Sequence, residues 1–317
     1  MMRRHDFLRT GAAAAAAAML PRIARADDAP LRIGALRLDP AAEPYFAQDG
    51  GFFKKAGLTV EIQPFTSGVA ALAALFGGAL DIAISDAVGG ATAHSRGLPV
   101  TYLAPACVFT RAAQASSLVV LAGSLIKGPR DLNGKSIGTN GLKNIVQIPT
   151  SAWIDNNGGD AKTVRFVELP VPQMPGAVEE GRLDAAVMAE PFITNAQSGN
   201  KFRIISLADN NVAPEFLYSG WAATNDWAAK NPDTVKRFVS AMNGAAKWSN
   251  ANHPLTAVIL SKISKVPLEV TMKMGRTYFG EKFNVANYQP VIDACAKYGA
   301  IAKSFPAAEM INSAALR

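Results

Sequence analysis

"GGALDIAIS" occupies Gly77–Ser85, and "EGRLDAAVM" occupies Glu180–Met188. Both contain Gly-x-Leu-Asp-x-Ala followed by a β-branched residue, and their aspartates, Asp81 and Asp184, lie 103 positions apart. The phrase closes the same kind of unit each time. In the first copy, "LTVEIQPF" (Leu58–Phe65) reads as a strand. "SGVAALAALFGGAL" reads as a helix with Ser67 as its N-cap, and "DIAIS" as a short buried strand. In the second, a strand is expected around Val164–Leu169, a helix from about Pro175, and a strand in "DAAVMAE". Val60 to Asp81 is 21 positions and Val164 to Asp184 is 20, so the whole strand-helix-strand unit repeats.

The phrase is scaffold. Gly78 and Gly181 suit the left-handed position that ends a helix. Leu80 and Leu183 cover the helix end, and Asp81 and Asp184 open a strand buried on both faces. "LRIGAL" (Leu31–Leu36) and "FFKKAG", a helix end with Gly57 as its stop, extend the first unit to strand-helix-strand-helix-strand. That order predicts parallel strands with right-handed crossovers, hence two related α/β lobes. In such sheets ligands sit beyond the carboxyl ends of the strands. Five loops stand there: "RLDPAAEPYF", "PFTSG", "SDAVGG", "SIGTNGLKN" and "VMAEPF". Near the C-terminus, "NPDTVKRFVSAMNGAAKWSN" places Val235, Phe238, Val239 and Met242 at helical spacing, a packing face.

The chain has 317 residues, 49% hydrophobic and 18% charged, enough for two core-bearing units. Residues 1–26 read as a secretory signal peptide: Arg3 and Arg4, the apolar run Thr10–Leu20, and "ARA" at Ala24–Ala26. "RRHDFLR" resembles a twin-arginine export signal, with two residues where one usually separates the arginine pair from Phe-Leu. Removing this segment takes away five Arg and one Asp, so the net charge falls from +7 to +3. The basic character belongs mainly to the leader, and no basic run with interleaved aromatics suggests nucleic-acid binding. Cys107 and Cys295 both lie in apolar stretches, and spacing does not say whether they pair.

"EPYFAQDGGFFKKAGLTVEI", "TSGVAALAALFGGALDIAIS", "DLNGKSIGT" and "EEGRLDAAVMAEPF" resemble the periplasmic substrate-binding proteins of ABC importers. They are closest to the NMT1/THI5-like group, with its sulfonate, taurine, nitrate and thiamine-pyrimidine-precursor binders. The resemblance implies the two-lobed α/β periplasmic binding protein fold, two parallel-type sheets flanked by helices with the ligand in the cleft. Lobe 1 would take 31–112 and 215–317, and lobe 2 would take 118–210. It implies a monomer that carries a small solute to a permease and its ATPase, needs no cofactor, and meets the membrane only through the permease.

Candidate ligand-binding residues follow from the loop positions. Ser67 and Gly68 begin a helix after a strand, where free N–H groups attract a polar ligand edge. Ser85 and Asp86 end the next strand. Asn140, Gly141 and Asn144 follow the first strand of lobe 2, without the Ser/Thr pair expected of a sulfonate cradle. Glu190 suits a ligand with N–H donors. Tyr45, Phe46 and Trp221 are candidates for stacking on a flat ligand, or for packing, and Arg37 for pairing with an anion. Together these favour a flat nitrogenous or aromatic solute slightly over a simple sulfonate.

"GPRDLNGKS" is not a phosphate loop, since five residues separate its glycines where four are needed and it precedes a strand. His5, His94 and His253 form no metal or triad spacing. An exported enzyme on the same fold, or a receptor for a membrane sensor, remain the alternative functions.

Overall fold

A computed structural model of the chain describes residues 29–206 and 208–316. The signal peptide expected over 1–26 lies outside the described residues. Among the described residues, thirteen strands form three sheets. The first sheet is built from β1 (Leu31–Leu36), β2 (Val60–Phe65), β3 (Ile82–Asp86), β4 (Val100–Pro105) and, from far along the chain, β12 (Ser219–Thr224). Their order is β2-β1-β3-β12-β4. The second uses β6 (Ser116–Leu121), β7 (Ser136–Thr139), β8 (Arg165–Glu168), β9 (Ala185–Ala189) and β10 (Phe202–Ser206), in the order β10-β6-β9-β7-β8. A small third sheet joins β11 (Glu215–Leu217), β5 (Cys107–Thr110) and β13 (Tyr278–Phe279).

The two large sheets have the same plan. In each, three strands run parallel: β1 with β2 and β3, and β7 with β8 and β9. A fourth runs antiparallel beside the last of them, β12 beside β3 and β6 beside β9. The expectation of parallel-type sheets is corrected to mixed sheets. The antiparallel strand in each lobe is the one that arrives from the other lobe, so it enters from the cleft side. β5 leads into β6 and β11 into β12, while β5 and β11 pair antiparallel. The two passages between lobes thus form one hydrogen-bonded ribbon.

The repeated phrase does the same work in both lobes. Asp81 Oδ2 accepts the Arg32 N–H at 2.9 Å, and Asp184 Oδ2 accepts the Ser136 N–H at 2.8 Å. Each aspartate thereby starts the central parallel pair, and each returns its own N–H to the same neighbour's carbonyl at 3.0 Å. Gly78 and Gly181 have φ of +75° and +71°, the left-handed turn that releases the helix. Leu80 fills the space above Gly34 so closely that a Cβ there would overlap its Cδ1. Leu183 stands 2.8 Å from where a Cβ on Gly138 would be.

Elsewhere the periodicity is realised as packing. Val235, Phe238, Val239 and Met242 are buried on the helix Pro232–Ala251, where Phe238 stacks on Phe53 at 6.3 Å. Cys107 and Cys295 are buried free thiols. Among the described residues, no helix is long and apolar enough to cross a membrane.

Candidate functional site

The carboxyl ends of β1, β3, β7 and β9 face one another across a narrow cavity of about 50 Å³. Lobe 1 supplies Leu36, Leu38, Ile84 and Asp86; lobe 2 supplies Asn140, Ile145, Val187 and Ala189; Tyr218 and Ser219 close it where the chain returns. An outer chamber of about 330 Å³ shares the walls Leu36, Leu38 and Val171 and reaches the surface past Phe65, Phe192, Arg37 and Lys265. Aliphatic walls with a few convergent polar groups are the usual make-up of a small-molecule site.

Asp86 dominates the inner chamber. It is only 8% exposed. Its backbone is extended, which makes it the N-cap of the helix Ala87–Ser95. Oδ1 accepts the Gly89 N–H at 2.9 Å and, from the other lobe, the Ile145 N–H at 3.1 Å. Oδ2 lies above Gly68, whose missing side chain leaves the room. Burial raises the Asp86 pKa above the ordinary carboxylate value, and the backbone amides of Gly89, Ile145, Val88 and Asp86 itself oppose that rise.

Opposite, Asn144 shapes the lobe 2 loop. Its Oδ1 accepts Val146 and Gln147 N–H at 3.2 and 3.1 Å, and its Nδ2 donates to Asn140 Oδ1 at 3.0 Å. Gly141 lies just off the wall, its carbonyl accepting the buried Thr139 hydroxyl at 3.0 Å. Ser219 Oγ donates to the Pro40 carbonyl at 3.1 Å, tying the returning strand to the first loop.

The structure thus brings Gly68, Asp86, Asn140 and Asn144 together at one cavity. It places the other candidates elsewhere. Trp221 is fully buried, and its Nε1 donates to Glu43 Oε2 at 2.8 Å, so it is a core residue and not a stacking platform. Phe46 is also fully buried, edge-on to Phe279 at 5.8 Å. Tyr45 is half-buried beside Arg37; burial raises its phenol pKa and the nearby charge opposes this. Ser85 is fully buried behind the cavity, donating to the Asp86 carbonyl and accepting from the Tyr102 hydroxyl, both at 3.0 Å. Ser67 spends its hydroxyl on the Ala70 N–H at 3.2 Å as a helix cap.

Glu190 likewise spends its side chain on protein donors at a helix start. Its two carboxylate oxygens accept from Thr194 Oγ1 at 2.8 Å and Thr194 N at 3.1 Å. Its carbonyl accepts the Asp39 N–H at 2.9 Å across the lobes, so it fastens the seam and does not line the cavity. Arg37 is exposed on the outer chamber only. Tyr218, Ser219 and Ile145 were missed. Trp221 lies on the same returning segment, but it is Tyr218 and Ser219, just before it, that reach the cleft.

Residues 41–257 match the family described as NMT1/THI5 like. A binding protein of Brucella abortus is 24% identical over 297 residues, covering 89% of this chain and 86% of the relative. The taurine-binding periplasmic protein of Escherichia coli is 25% identical over 229 residues, covering 69% of this chain and 68% of the relative. Among solved structures, the alkanesulfonate-binding protein of Xanthomonas axonopodis, bound to MOPS, superposes with a TM-score of 0.76. It has 16% identity and covers 90% of this chain and 99% of that one. The nitrate-binding protein of Synechocystis gives a TM-score of 0.73, also at 16% identity, covering 90% and 86%.

Proposed function

The chain belongs to the NMT1/THI5-like family, and from that premise we propose that it is a periplasmic solute-binding receptor serving an ABC importer. The observation that carries this is the cavity itself: it is lined from both sheets, at the strand ends where α/β sheets bind ligands. A solute there touches both lobes only when they are closed. It therefore stabilises the closed arrangement by its differential affinity for it. The β5–β11 ribbon is the hinge about which the lobes move, a short element absorbing the backbone change. Gly68, Asp86, Asn140 and Asn144 are the proposed contact residues, with Tyr218 and Ser219 added from the geometry. The permease then takes the closed form, and the solute leaves chemically unchanged.

A thermal-shift panel of taurine, butanesulfonate, nitrate, n-butylamine and an aminopyrimidine tests this. A solute at 100 times its dissociation constant should add about 2.7 kcal/mol of stability. The stabilising solute should be recovered intact after prolonged incubation. Its conversion to a new product would make the protein an enzyme on this fold instead.

A further inference from the structure

We infer that the solute enters with a protonated amine against Asp86 and an aliphatic body along the cavity walls, so the receptor selects amines over sulfonates and nitrate. This rests on the receptor function proposed above and names the chemistry of that same site.

Asp86 occupies the place an anionic ligand would take. Three helices begin around the cavity, at Gly68, Ala87 and Gln147, and helix starts attract negative charge. Here several of their donors are taken by the protein. The Ala70 amide goes to Ser67 Oγ, and the Gly89 amide goes to Asp86 Oδ1. Those of Val146 and Gln147 go to Asn144 Oδ1. The Ile145 amide, arriving from the opposite lobe, also goes to Asp86 Oδ1. The chain has installed its own carboxylate where an amide from each lobe meets, Gly89 and Ile145.

What remains suits a cation. Asp86 is a carboxylate that lines the chamber on a side chain more than nine-tenths buried, and the donors that reach it are neutral backbone amides. Among the described residues, no Lys, Arg or His lines the inner chamber. A sulfonate there would meet a carboxylate in a poorly hydrated space with no countercharge, an arrangement that costs far more than it returns. An ammonium would instead complete a charge-assisted pair with Oδ2. Leu36, Leu38, Ile84, Val171 and Val187 then offer an aliphatic path outward to the larger chamber.

Isothermal titration of the protein with n-butylamine and with butanesulfonate, matched in chain length, tests the inference. The amine should bind at least about tenfold more tightly, and Asp86→Asn, which keeps a capping oxygen, should weaken it about 10- to 100-fold. Tighter binding of the sulfonate, or an amine affinity unmoved by Asp86→Asn, overturns the inference. Should the variant fail to fold, the unsubstituted protein decides by pH. Tyr102, Tyr218, Tyr288 and Cys295 face Asp86, and burial pushes all four up, so they stay uncharged. Amine affinity should then fall as the medium is acidified and Asp86 takes up a proton, and a flat profile contradicts the pairing. Sulfonate binding that compacts the protein overturns the amine selectivity and leaves the receptor standing. A panel in which no solute stabilises the chain overturns both.

Discussion

Three buried carboxyl groups differ in what they are for. Glu43 is fully buried and held by the Trp221 indole N–H, and burial raises its pKa well above the usual value. It is a core hydrogen-bond partner. Trp221→Phe should therefore cost about 1–3 kcal/mol in urea unfolding and leave solute affinity unchanged. A large loss of affinity with little loss of stability would restore Trp221 to the site. Asp209 sits beside β6, where its Oδ2 accepts Ser116 N and Oγ at 3.2 and 2.9 Å. Burial pushes it up to about 7 from 3.8. A carboxyl raised on folding contributes stability at low pH that is lost as pH rises through about 4 to about 7. The stability of Asp209→Asn relative to the unsubstituted protein should rise over that window, by about 4 kcal/mol at most. Unfolding measured at several pH values checks this, and a difference that stays constant contradicts it. Asp86 is the third case, buried yet open toward the cavity. Residue type alone could not sort these three, because Asp and Glu in a loop look the same whether they cap, pack or bind. Their partners lie 178, 93 and 59 positions away along the chain.

The strand-helix-strand unit is where sequence spoke most clearly. Ser67 as cap, the helix from Gly68, the strand at Ile82 and the helix-ending glycines all follow from local chemistry, which is why they could be read. The tight contact between Gly34 and Leu80, matched by Gly138 and Leu183, could not, since it depends on how each helix settles on its sheet. Gly138→Ala should destabilise by about 1–3 kcal/mol, because the new methyl meets Leu183 in a packed layer. Combining it with Leu183→Ala should cost clearly less than the two single changes added together. Strict additivity in denaturant unfolding would show that the two positions are not in contact. The antiparallel fourth strands also escaped sequence reasoning. β6 and β12 are short and apolar, and nothing in such a run states its direction.

At the scale of the whole molecule, hydrogen bonds join the lobes beside the cavity, among them Ile145 N–H to Asp86 Oδ1 and Asp39 N–H to the Glu190 carbonyl. They flank a chamber of about 50 Å³ between walls from both sheets, a closed arrangement. The five loops expected to meet at the strand ends do meet there, because loop position follows from strand order. Which side chains point inward does not follow from it, so aromatics were overvalued as stacking residues and the returning strand's Tyr218 was overlooked. Small-angle X-ray scattering of the protein, alone and saturated with whichever panel solute stabilises it most, tests the central claim most directly. A receptor that closes on its solute should show a smaller radius of gyration when saturated. An unchanged radius under saturation would contradict closure of the two lobes as the basis of its function.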